Sequence, residues 1–132
     1  MSTMTAPAVS PTTAEVRMRT VLRADAVVTG AVGLLGLLGP SWYGGPSWVA
    51  RAVGAVLVLV AIEVAVLAGS SGRRLRVTGV VVAELAFGWV VAALLAAALV
   101  DMDTAGREVL LLSAAGTLGF GIAETRLARR MR

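Results

Sequence analysis

Four long apolar stretches divide the chain, at roughly residues 22–39, 47–69, 77–100 and 109–127. A helix needs about 20 apolar residues to cross a hydrocarbon core ~30 Å thick, so each stretch is predicted to be a membrane-spanning helix. The first is the least apolar, because Arg23 and Asp25 stand at its start. Between the stretches lie "GPSWYGGPSW", "SSGRRLR" and "DMDTAGRE", where Gly, Pro and charge end helices. Trp42, Tyr43 and Trp48 cluster at one boundary, as aromatics at a membrane interface do. Residues 1–16 read as a flexible polar tail and 17–132 as one transmembrane domain. No secretory cleavage pattern precedes the first stretch, which is therefore expected to be retained. The predicted fold is all-α, an integral membrane bundle of four transmembrane helices.

Charge gives that bundle a direction. The 132 residues include 12 arginines and no lysine. Arg17, Arg19 and Arg23 precede the first stretch; Arg73, Arg74 and Arg76 separate the second and third; Arg126, Arg129, Arg130 and Arg132 follow the fourth. These ten share one side, and only Arg51 and Arg107 fall on the other. The positive-inside rule then places both termini in the cytoplasm of a multi-pass protein of the cell membrane. A net charge of +4 would suit nucleic acid, but arginines flanking apolar runs fit a lipid surface instead. The expected partners are the bilayer and a lipophilic small molecule, with self-association allowed and no nucleic acid.

The acidic residues are distributed with equal regularity. Asp101, Asp103 and Glu108 belong to an outer loop and Glu15 to the tail; Asp25, Glu63, Glu84 and Glu124 fall one per predicted helix. At ~1.5 Å per residue, Glu84 and Glu63 lie ~9–10 Å inside the cytoplasmic ends of their helices, and Asp25 and Glu124 ~5 Å inside theirs. All four carboxyls thus fall in the cytoplasmic half and are expected to converge in one layer. A charge inside a bilayer is expensive, so such groups turn inward or hold a proton. Glu84 and Glu63 are the leading candidates for an acid and its proton partner, and Asp25 and Glu124 for tuning or relay. For the two shallower acids the alternative is pairing with Arg23, Arg76 or Arg126 at the interface. Spacing puts Phe120 and Thr117 on the face of Glu124, Phe87 on that of Glu84, and Trp89 beside it. These four would line a substrate pocket, unless they are ordinary packing. The stripes of Gly30, Gly33 and Gly36, and of Gly116, Gly119 and Gly121, permit close helix contact.

The alphabet then restricts the chemistry. Cys and His are absent, so no thiolate or imidazole is available as metal ligand, nucleophile or base. No metal and no cofactor is expected. Three classes remain: acid catalysis on a lipophilic substrate, proton-coupled export of a cationic drug, and a non-catalytic membrane subunit. A neutral carboxylic acid in a dry pocket can protonate an epoxide or alkene, while aromatic faces stabilise the resulting cation.

The segments "LRADAVVTGAVGLLGLLGP", "AELAFGWVVA" and "GIAETRLARR" resemble a broad set of small four-helix actinobacterial integral membrane proteins. Some members of that set resemble the membrane terpene cyclases of bacterial indole and diketopiperazine terpenoid pathways. The resemblance covers most of residues 20–130. It implies acid-initiated cyclisation of a prenyl or epoxyprenyl chain in natural-product biosynthesis, with the intramembrane Asp and Glu residues as acid candidates.

Overall fold

The computed structural model describes residues 12–39 and 47–131. They form four helices: α1 (Thr13–Leu38), α2 (Ser47–Leu67), α3 (Gly72–Leu99) and α4 (Thr104–Arg130). Each is long and apolar enough to cross a membrane. Trp42 and Tyr43 lie outside the described residues, while Trp48 is exposed in the first turn of α2.

The first helix starts earlier than its apolar pattern does. Residues 13–16, expected in the polar tail, are the first turn of α1. The reason is local: the Thr12 hydroxyl accepts a hydrogen bond from the Glu15 N–H at 3.1 Å, capping the helix, and Thr20 bonds back to the Val16 carbonyl. The same turn clamps the α2–α3 connection. The Glu15 carboxylate accepts from the N–H of Gly72 at 2.7 Å, where an acid is favoured by the helix dipole. Arg19 donates through Nε and a terminal nitrogen to the Ser70 carbonyl at 3.1 and 3.0 Å. Gly72 itself has φ +57°, a conformation that suits glycine at this tight turn. At the opposite end of the bundle, Arg107 of α4 donates to the carbonyls of Ala97 and Val100, satisfying groups that the end of α3 leaves open.

The helices pack as two hairpins. α1 lies along α2 and α3 along α4; the hairpins meet mainly through α1 against α4, while α2 barely touches α3 and, among the described residues, does not approach α4. The α1–α2 seam is built from small residues. A Cβ on Gly33 would stand 2.8 Å from the Gly54 carbonyl oxygen, and one on Gly36 would stand 2.8 Å from that of Ala50. The backbones therefore touch, as in small-residue helix pairs in lipid.

The start of α1, the α2–α3 connection and the end of α4 come together at one end of the molecule, the arginine-rich end. There the larger core side chains gather: Met18, Leu22, Leu75 and Leu127 with Val64 and Ala68. Elsewhere the interior is mostly Ala and Gly, and Leu34, Leu59, Val66 and Leu99 face outward with most other large aliphatics. Small residues inside and large apolar residues outside invert the usual water-soluble arrangement.

Candidate functional site

Directly beneath the Met18–Leu22–Leu127 plug, α1 and α4 bring two carboxyls together. Asp25 is one turn below Leu22, and Glu124 one turn below Leu127 and Ala128. Both are buried, at 8% and 0% exposure. Their carboxyl groups are neighbours. The Thr29 hydroxyl, one turn further along α1, donates to Asp25 Oδ1 at 3.0 Å. Neither oxygen of Glu124 accepts a hydrogen bond of ordinary geometry from the described residues. Nor does either acid pair with an arginine among them; the interfacial ion pairing considered for Asp25 and Glu124 is replaced by burial against each other.

Below the pair opens a cleft of about 410 Å³. Every helix contributes to it: Asp25, Thr29 and Val32 from α1, Leu57 and Ala61 from α2, Trp89 from α3, Thr117 and Phe120 from α4. Its walls are predominantly apolar, and it forms where α2 and α3 draw apart. Trp89 is fixed by its indole N–H, which donates to Ser113 Oγ at 2.7 Å across to α4. Asp25 reaches the cleft, whereas Glu124 sits behind it, sealed from solvent. A second cavity of about 240 Å³ shares Val32, Leu57, Trp89 and Ala92 with the first, so apolar space continues toward the far end.

The expected layer of four acids is therefore corrected to a pair. Asp25 and Glu124 meet. Glu84 is exposed and stands on the rim of the cleft. Glu63 is exposed on the outer side of α2 and lines none of the cavities described. Depth along the chain puts these acids at similar levels, but the rotation of each helix sends Glu63 away from the others. Of the expected pocket residues, Trp89, Phe120 and Thr117 line the cleft. Phe87 does not; its ring covers Gly121, where an added Cβ would lie 3.1 Å from it, so it serves the α3–α4 seam. Thr29 follows Asp25 by four residues, a spacing that puts it on the same face of α1, and there it is that acid's hydrogen-bond donor.

The arrangement can do two things chemically: hold a proton between two carboxyls shielded from water, and present one of them to an apolar, aromatic-walled space. No protein-family model, curated protein or solved structure matches this chain.

Proposed function

We propose that the chain is a multi-pass membrane protein with both termini cytoplasmic, and that its cleft binds a prenyl or epoxyprenyl substrate and cyclises it by acid catalysis. Membrane placement is supported by the outward-facing aliphatics and by the concentration of arginines at one end. The observation that carries the reaction is the Asp25–Glu124 pair at the head of an apolar cleft walled by Trp89 and Phe120.

Two ionised carboxylates side by side in a water-poor interior repel strongly, so the pair holds a proton in this reading. Asp25, which reaches the substrate, delivers it to the epoxide oxygen. The C–O bond breaks, and a neighbouring alkene closes on the carbon as its π electrons form the new C–C bond. The Asp25 carboxylate, supported by the Thr29 hydroxyl, then removes a proton beside the final cation and is restored. The product is an isomer of the substrate, and nothing else is consumed. Trp89 and Phe120 present π faces to the positive charge, and the plug above the pair excludes water that would quench it. Glu124 acts through Asp25 and is a positioning residue.

The continuity of the two cavities favours a second reading, proton-coupled export of a lipophilic cation, in which the plug would have to open. Membranes carrying the protein, incubated with a panel of epoxidised prenyl substrates, are expected to yield a cyclised product of unchanged mass by chromatography and mass spectrometry. Absence of product across the panel, with proton-gradient-dependent efflux from vesicles, would overturn the cyclase reading in favour of the exporter.

A further inference from the structure

A third cavity lies between α3 and α4 at the arginine-rich end and has a volume of about 310 Å³. Its composition is graded. Arg76 from α3 and Arg129 from α4 stand on its two walls, Val80, Ala83, Phe87 and Ala128 make an apolar surface, and Glu84 and Thr125 complete it. The Thr125 hydroxyl is already committed to the Gly121 carbonyl at 2.8 Å. Neither guanidinium is spent on the fold: among the described residues no carboxylate or carbonyl engages Arg76 or Arg129, whereas Arg19 and Arg107 both donate to main-chain carbonyls. Several other arginines at this end are exposed, but these two share a cavity with an apolar floor.

We infer that this cavity binds a phospholipid, with the phosphate held between Arg76 and Arg129 and the acyl region lying along Val80, Ala83 and Phe87. Guanidinium groups bind phosphate oxygens through paired charge-assisted hydrogen bonds, and two from different helices fix its position. From Arg76 to Phe87 the α3 stripe runs ~16 Å, enough to carry glycerol and the first part of a chain. A free phosphate would use the two arginines but not the apolar floor. The site suits an anionic lipid, because its two cations face one carboxylate, and Glu84 lies two helical turns deeper than Arg76. Occupancy would pin α3 to α4 beside the rim of the substrate cleft, with which this cavity has Glu84 alone in common.

The inference rests on the membrane placement above and not on the cyclase reaction. Carbonate extraction of membranes tests placement separately. The test of the site is native mass spectrometry of the purified full-length chain in mild detergent, titrated with phosphatidylglycerol, phosphatidylcholine or inorganic phosphate. Phosphatidylglycerol is expected to form a one-to-one adduct, weakened roughly tenfold or more in Arg76→Gln/Arg129→Gln. The control Arg17→Gln/Arg130→Gln removes equal charge and should bind as the parent does. Glu84→Gln removes the opposing carboxylate and should tighten binding. Circular dichroism checks that each variant remains helical. Equal weakening in the control pair would reduce the effect to unspecific surface charge and overturn the site. Equal phosphatidylcholine binding would overturn the anionic preference, and inorganic phosphate competing at equal concentration would assign the site to free phosphate. An unchanged Asp25→Asn variant in this assay separates lipid binding from any failure of the catalytic reading.

Discussion

Asparagine at position 25 is expected to slow product formation by orders of magnitude while leaving the bundle intact. Asp25 is the member of the buried pair that reaches the cleft. Its Thr29 hydrogen bond can be kept by the asparagine side-chain oxygen, so the local fold has no reason to change. What disappears is the transferable proton, and loss of a positioned general acid costs about 10²–10⁴-fold in rate. Glu124→Gln should fall into the same range by a different route. Its amide donates permanently toward Asp25, holding that carboxylate as an anion with nothing to give. Glu63→Gln should retain turnover close to the parent, because Glu63 faces outward and borders none of the described cavities. Initial rates on whichever panel substrate is converted, with helicity checked in parallel, decide this. A Glu63→Gln loss as deep as that of Asp25→Asn would return the chemistry to the acids favoured by depth alone.

The second large effect concerns the α1–α2 seam. A Cβ on Gly54 would stand 2.5 Å from the Gly33 carbonyl oxygen and 2.7 Å from the Leu37 backbone nitrogen. These are backbone atoms of a neighbouring helix, which cannot rotate away as a flexible side chain would. Gly54→Val must force the helices apart, lengthening every contact from Gly33 to Gly36. The cost should reach ~3 kcal/mol, the upper part of the usual range for overpacking. Gly116→Ala is the matched control: nothing stands within 4 Å of its added Cβ, and alanine is the better helix former. It should be neutral or slightly stabilising. Denaturant titration in mild detergent, followed by helicity, measures both. Equal stability of Gly54→Val and the parent would contradict the close α1–α2 packing.

The four helices were legible because an apolar run of this length has few other structural solutions. Their ends were legible where Gly, Pro and arginine interrupt the runs. The start of α1 was not, because Thr12 and Glu15 form a cap whose signal lies in hydroxyl and carboxyl spacing rather than hydropathy. The acids show a sharper division. Distance along a helix follows from residue number, but rotation must come from contrast between faces, and these helices are apolar nearly all round. The contrast that exists is size. Asp25 shares a stripe with Thr29, Gly33 and Gly36, which is the packed side of α1. Glu63 shares one with Val56, Leu59 and Val66, all exposed. In lipid, small residues mark contact and large aliphatics mark the outside, so that stripe placed Glu63 outward. Phe87 was assigned to the pocket by its distance from Glu84; its ring instead fills the space left by Gly121 across the seam.

The account depends on the meeting of α1 and α4 at their carboxyls, and thiol cross-linking tests that meeting directly. The chain contains no cysteine, so introduced pairs report without background. In membranes, Asp25→Cys/Glu124→Cys is expected to join efficiently with a short bifunctional thiol reagent, while Glu63→Cys/Glu124→Cys remains unjoined. Efficient bridging of the 63–124 pair with none at 25–124 would contradict the arrangement from which the acid site is built.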